Sequence, residues 1–270
     1  MSNFYGLVGE KLGYSLSPEI HSCILRKLNK SAPYILFEVE RGSLEASVKG
    51  LKALGCRGVN VTTPYKIEIL GFLDRLSDEA AKIGSVNTLA FSKEGIVGYN
   101  TDYTGFAFML KKEGIDVNGK KAVILGTGGV ANTVLAYLLD RGAAEITFAS
   151  RNPAAARERL SDHKIISYEE LAGTERKDIL INSTPCGMYP NNNISPADKD
   201  CVDKFSTVID LNYNPADTLL LKKARAAGLK TANGLCMLAA QAAAAQEIWQ
   251  EVNFSDSFVE ELSFEVSNLI

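Results

Sequence analysis

Three clusters of polar side chains sit at the ends of apolar, β-rich segments in the first half of the chain. They are Ser15-Leu16-Ser17-Pro18, Asn60-Val61-Thr62-Thr63-Pro64-Tyr65-Lys66, and Ser85-Val86-Asn87-Thr88 with Asn100-Thr101-Asp102. Open parallel sheets bind ligands beyond their strand ends, so these runs fall where a site would be built. Taken singly, each has a plain reading: Ser17 and Thr63 as helix caps, Asn87 and Asn100 as turn residues, Lys66 and Asp102 as a surface ion pair. Taken together they describe a pocket of neutral hydrogen-bonding groups with one lysine and one aspartate, suited to a small, polyhydroxylated, anionic molecule. An ammonium at Lys66 can donate to an oxygen that gathers negative charge, and Asp102 can orient that ammonium.

A second constellation lies further along. Val123-Ile124-Leu125 runs into Gly126-Thr127-Gly128-Gly129-Val130-Ala131 and then into a helical pattern. Glycines there let the backbone turn tightly and approach a pyrophosphate. The helix N-terminus meets the charge, and the small Ala131 lets helix and strand pack closely. A strand before and a helix after are what this dinucleotide-binding turn requires. In an NAD-binding version a carboxylate about 20 residues on would bond the ribose 2'-hydroxyl. Here the next strand ends Phe148-Ala149-Ser150-Arg151-Asn152, and Arg151 offers a planar cation for a 2'-phosphate, which favours NADP.

The elements that would carry these groups alternate, β-rich run then helical pattern, so the fold class is α/β with parallel strands and crossover helices. Strands are predicted over 5–8, 34–39, 58–61, 87–91 and 96–99. One helix starts with Ser17 as its cap and Pro18 in its first turn, with Ile20, Ile24, Leu25 and Leu28 on one face. Another starts after Thr63, with Pro64 in its first turn and Ile67, Leu70 and Leu73 as its stripe. From Lys121 the alternation restarts as a doubly wound, Rossmann-type unit: strands at 122–125, 145–149, 179–181, 207–211 and 230–232, helices at 128–140, 153–160 and 217–227. A helical stretch over 102–112 separates the halves. The reading divides the chain into a substrate-binding and catalytic domain, 1–104, a dinucleotide-binding domain, 105–235, and C-terminal helices, 236–270, that return to the first domain.

Composition narrows the class. The 270 residues are 46% hydrophobic and 23% charged, close to globular averages. With 29 Lys and Arg against 32 Asp and Glu, the net charge of -3 gives no field drawing the chain to nucleic acid or anionic lipid. The alanine-rich stretch 236–245 is far short of the roughly 20 apolar residues of a membrane span. Residues 1–10 show neither a secretory nor a transit pattern. Five scattered cysteines, Cys23, Cys56, Cys186, Cys201 and Cys236, and two histidines have no metal-type spacing, so no metal is expected and reduced thiols in the cytoplasm are. His21 and His163 read as packing or surface residues.

The polar runs, the glycine turn, and two later motifs, Asp210 through Tyr213 to Pro215 and Gly234 through Met237-Leu238 to Gln241, resemble in order and spacing the motif series of the shikimate dehydrogenases. The resemblance extends from about residue 4 to residue 250. It implies NADP-dependent reduction of 3-dehydroshikimate to shikimate, in aromatic amino-acid biosynthesis. It also implies residue roles: Ser15 and Ser17 at the substrate carboxylate, Thr62, Asn87, Tyr213 and Gln241 at the carboxylate or ring hydroxyls, and Lys66 with Asp102 as the catalytic pair. Gly126, Thr127, Gly128, Gly129, Val130, Ala131, Ser150 and Arg151 would hold the cofactor, with Gly234 and Met237 near its nicotinamide. The expected partners are small molecules, without nucleic acid or membrane, and the chain is expected as monomer or homodimer. Two departures stand out: Tyr14 replaces the family's frequent His, and Ala155 replaces a basic residue often found four positions after the Arg, with Arg157 nearby as a substitute. A shikimate/quinate dehydrogenase of relaxed choice and a non-catalytic ligand-sensing protein are the alternatives.

Overall fold

The first strand, β1 (Tyr5–Gly9), is buried along its whole length, as befits a strand with neighbours on both sides and cover on both faces. It belongs to the first of two units in the computed structural model, which describes residues 3–13 and 15–269. Tyr14 therefore lies outside the described residues. The chain continues through α1 (Ser17–Lys27), β2 (Tyr34–Glu38), α2 (Leu44–Ala53), β3 (Gly58–Val61), a 3-10 helix (Glu68–Phe72), β4 (Arg75–Leu76), α3 (Asp78–Ile83), β5 (Thr88–Ser92), β6 (Gly95–Tyr99) and α4 (Thr101–Lys112). The strands form one sheet in the order β2-β1-β3-β5-β6-β4. β5 runs antiparallel to both β3 and β6, so this sheet is mixed where sequence alternation predicts a parallel one. Only residues 93 and 94 separate β5 from β6, and a parallel crossover needs about a dozen, so the two strands close as a hairpin.

Two predicted helix starts shift. Ser17 is the first helical residue rather than the cap. Its backbone N–H donates to Ser15 Oγ at 3.2 Å, so Ser15 does the satisfying and the Ser17 hydroxyl is left for other partners. After Thr63 no α-helix forms. Lys66 C=O accepts from Val86 N–H at 2.8 Å, which takes that carbonyl out of any helical ladder, and the apolar residues read as a helix stripe fall in and around the short 3-10 turn.

The second unit, Phe106–Leu238, follows the doubly wound pattern: β7 (Lys121–Leu125), α5 (Gly129–Asp140), β8 (Glu145–Ala149), α6 (Pro153–Arg159), β9 (Lys164–Ile166), α7 (Tyr168–Ala172), β10 (Ile179–Asn182), α8 (Lys199–Val202), β11 (Thr207–Asp210), α9 (Leu219–Ala226) and β12 (Lys230–Asn233). Its order is β12-β11-β10-β7-β8-β9, all parallel. The winding reverses between β7 and β10, a switch point that opens a crevice at the strand ends. β9, α7 and α8 are too short to show in apolar periodicity. The chain ends in α10 (Leu235–Gln250) and α11 (Asp256–Ser267). Ala239–Leu269 pack with the first unit, where Trp249 Nε1 donates to Leu89 C=O at 2.9 Å and Lys27 pairs with Glu265 at 2.8 Å. No helix of the described residues is long and apolar enough to cross a membrane.

His21 is fully buried in the first unit, stacked on Tyr34 with ring centroids 4.2 Å apart and set against Trp249. Burial pushes its pKa down to about 3, with the Asn60 side chain pulling the other way. The folded protein therefore keeps this ring neutral at a pH where the unfolded chain, with a histidine pKa of about 6.5, binds a proton. Stability is fully present above that value and falls as the pH drops below it, by about 1.4 kcal/mol per pH unit. Urea unfolding followed by Trp249, the single tryptophan, is expected to shift to lower denaturant between pH 7 and 5. The shift should vanish in His21→Phe; its persistence there would assign it to other groups.

Candidate active site

Tyr65 is buried, and its hydroxyl donates to Val39 C=O at 2.6 Å. Its backbone N–H donates to Thr62 C=O at 2.9 Å. With the Lys66 carbonyl fixed by Val86, the short turn after β3 holds Lys66 on both sides. Asp102 stands in the first turn of α4, where the helix dipole favours a carboxylate. Lys66 Nζ lies 2.6 Å from Asp102 Oδ2, with the side chains only 12% and 8% exposed. That burial separates the contact from an ordinary surface ion pair. One carboxylate oxygen occupies one ammonium donor, and an ammonium has three.

Around this pair runs a buried amide and hydroxyl network. Asn87 Oδ1 accepts from Thr101 N–H at 2.7 Å and from Thr88 Oγ1 at 3.0 Å, while its Nδ2 donates to Thr101 Oγ1 at 3.0 Å. Its amide oxygen is thus committed and one amide N–H is left to face a ligand. Asn60 Nδ2 donates to Thr88 Oγ1 at 3.0 Å, and Asn60 Oδ1 accepts from Tyr34 OH at 2.8 Å. Burial raises the pKa of the Tyr34 hydroxyl, with the Ser17 side chain pulling the other way. Tyr34, Thr88, Asn87 and the start of α4 are therefore joined through Asn60. Ser15 and Thr62 are half-buried at the ends of the same sheet, and Gln241 is half-buried on α10.

The structure assigns work to Tyr34, Asn60, Thr88 and Thr101, for which the sequence reading gave no individual role. Asn60 carries a readable signal: it is the polar member of the buried strand Gly58-Val59-Asn60-Val61. Tyr34 carries none, since a tyrosine in a strand is unremarkable by type.

In the second unit, Gly126 leaves β7 with φ +95°, and a Cβ there would meet Thr184 Cγ2 at 2.7 Å. Glycine is required by both its backbone and its neighbours. Gly128 caps α5, and a Cβ on it would meet nothing within 4 Å. A side chain there would enter the open space in front of the helix N-terminus, where a pyrophosphate binds. Thr127, Gly129 and Val130 are half-buried around this turn, and Ala131 is fully buried against β7. Ser150 is buried at the end of β8 and Arg151, next to it, is exposed. Arg157, the candidate substitute for the cation missing at Ala155, donates from Nη2 to Ile165 C=O at 3.2 Å, which ties it to β9. The donor set thus fits a dinucleotide with a 2'-phosphate, with Arg151 as its cation. Tyr213 is half-buried after β11, Gly234 precedes α10, and Met237 is buried in that helix's first turn. Among the described residues no cluster of three His, Cys, Asp or Glu is placed to hold a metal.

Residues 7–89 match the family described as the shikimate dehydrogenase substrate binding domain. A shikimate dehydrogenase (NADP(+)) of Clostridium beijerinckii is 42% identical over 263 residues, 96% of each chain. The crystal structure of a chorismate mutase/shikimate 5-dehydrogenase fusion protein from Clostridium acetobutylicum superposes with a TM-score of 0.96 at 46% identity, covering 100% of this chain and 99% of that one. The Thermus thermophilus shikimate 5-dehydrogenase in complex with NADP(H) and shikimate gives a TM-score of 0.85 at 31% identity, covering 98% and 100%.

Proposed function

The chain belongs to the shikimate dehydrogenase family, and from that premise we propose that Lys66 and Asp102 carry out the NADP-dependent, reversible reduction of 3-dehydroshikimate to shikimate. The observation that carries the reading is the buried 2.6 Å contact between these side chains. The Gly126–Ala131 turn would hold NADPH, which would supply the hydride for the reduction. Lys66 Nζ, held by Asp102, donates a proton to the ketone oxygen as charge develops on it. Asp102 also accepts from a neighbouring ring hydroxyl and so sets the orientation of the ring. The Ser15 and Ser17 hydroxyls donate to the substrate carboxylate, an acceptor-only group. Thr62, Asn87, Tyr213 and Gln241 take the remaining polar groups of the substrate. Ser150 and Arg151 hold the 2'-phosphate, and Gly234 and Met237 border the nicotinamide. Five free cysteines and small-molecule ligands support a cytoplasmic enzyme.

An absorbance assay at the reduced-nicotinamide band, pairing shikimate and quinate each with NADP+ and NAD+, tests the reading. The fastest turnover is expected with shikimate and NADP+. Turnover dominated by quinate would make the enzyme a relaxed shikimate/quinate dehydrogenase, and binding of both ligands without any reduction would make it a sensor.

A further inference from the structure

Asp210, at the end of β11, is fully buried and has no part in the chemistry above. Its Oδ2 accepts from Thr218 Oγ1 at 2.7 Å, and its Oδ1 accepts from Asn182 Nδ2 at 2.9 Å and from Asn212 N–H at 3.1 Å. All of these donors are neutral. Asn182 and Asn212 belong to segments that lead to a proposed ligand contact, and Thr218 caps α9, accepting from Leu221 N–H at 3.3 Å. Asn182 Oδ1 holds Thr184 through its N–H and its hydroxyl, and Thr184 Cγ2 is the atom that confines Gly126. Ser183, beside it, donates to Leu125 C=O at 2.6 Å. Asn212 Nδ2 donates to the carbonyls of Thr184 and Cys186, both at 3.1 Å, and Asn212 precedes Tyr213. Gly234 N–H donates to Asn212 C=O at 3.0 Å, and a Cβ on Gly234 would collide with Leu211 C=O.

We propose that Asp210 is a positioning residue whose carboxylate sets three segments of the second unit in one register: the 183–186 turn against Gly126, the 211–215 loop with Tyr213, and the Gly234 turn. The proposal rests on the roles of Gly126, Tyr213 and Gly234 in the reading above. Burial pushes the Asp210 pKa up to about 6, against the pull of its hydrogen bonds with Thr218, Asn212 and Asn182. Desolvation outweighs the donors, so keeping the anion here costs stability. A group that lowers stability and yet organises three ligand-bearing segments is accounted for by that organisation. An apolar replacement leaves three buried donors without their acceptor, and the segments must then shift to find others.

The test compares Asp210→Ala, Asp210→Asn and Thr218→Val. Asp210→Ala is expected to raise KM for NADP+ by about tenfold, the equivalent of one net hydrogen bond, and to lower kcat. In the cofactor-free protein, the amides of 183–188 and 211–215 should exchange with solvent faster. Asp210→Asn should stay within about threefold of the parent in KM. Its amide oxygen can keep Asn182 and Asn212 while its NH2 donates to Thr218 Oγ1. Thr218→Val removes one donor only and is the deciding variant if Asp210→Ala does not fold; its KM for NADP+ should rise several-fold. KM is read well below the unfolding midpoint, where a residue serving stability alone leaves it unchanged. Parent-like KM and exchange in the folded Ala or Val variant would overturn the proposal, as would an Asn variant as impaired as Ala. If the unmodified protein oxidises no shikimate, the functional reading fails, while the exchange measurement still decides the role of Asp210.

Discussion

Lys66→Ala is expected to lower kcat by about 10²- to 10⁴-fold, the usual contribution of a positioned proton-transfer group. At 1.36 kcal/mol per tenfold, this is about 2.7 to 5.5 kcal/mol of lost transition-state stabilisation. kcat/KM should fall in parallel, because the proton is given only as charge develops on oxygen, and shikimate affinity should change much less. Lys66 is the only cation in the polar runs, and it is already aimed by Asp102 at 2.6 Å. The variant should fold. The carboxylate left behind is 8% exposed, but it stands at a helix N-terminus, which offsets part of the cost of its isolation. Steady-state kinetics and a shikimate titration check this, and turnover within threefold of the parent would remove Lys66 from the mechanism. The double variant Lys66→Ala with Asp102→Asn should be little worse than Lys66→Ala alone, since Asp102 acts largely through the ammonium.

How far such a site can be read from sequence depends on the range of the interactions that build it. Lys66 and Asp102 are legible because each follows a strand by a few residues, and Asn87 because it stands where one begins; strand ends are where such a fold gathers its ligands. The Gly126–Ala131 turn is legible because strand, glycines and helix are contiguous. Tyr34 is hidden because its part in the network comes from Asn60, 26 residues away. The role of Ser17 is half visible: its place at a helix start reads as a cap, but Ser15 meets that need and frees it. The helix predicted after Thr63 fails for the same reason, since a tertiary bond from Val86 overrides a local apolar stripe. The antiparallel β5 is within reach of the sequence, because the four residues between the predicted strands, 92–95, are far fewer than a parallel crossover needs. Asp210 is visible as part of a motif, while its function as a hub depends on Asn182 and Thr218, which sequence does not place beside it.

Arg151→Ala is expected to raise KM for NADP+ by about 10- to 150-fold while leaving KM for NAD+ nearly unchanged. Hydrogen bonds to a charged group are worth about 1.5 to 3 kcal/mol, and a guanidinium can offer a phosphate two in parallel. The size of the effect depends on whether other cations share the load. Position 155 is alanine, and its backbone N–H caps onto Asn152 Oδ1 at 3.2 Å, so nothing there reaches a phosphate. Arg157 is the nearest alternative by sequence, but its Nη2 donates to Ile165 C=O, which draws the side chain to β9. Arg151 itself is exposed at the end of β8, where the second strand of a dinucleotide fold meets the ribose. With the discriminating charge concentrated in one side chain, its removal should bring the two cofactors close to equal efficiency. Arg151→Lys should recover only part of the preference, because an ammonium keeps the charge without the planar pair of donors. Initial rates over a range of each cofactor, at saturating shikimate, decide it. A parent enzyme that uses NADP+ and NAD+ equally well would show that this turn does not select the phosphate.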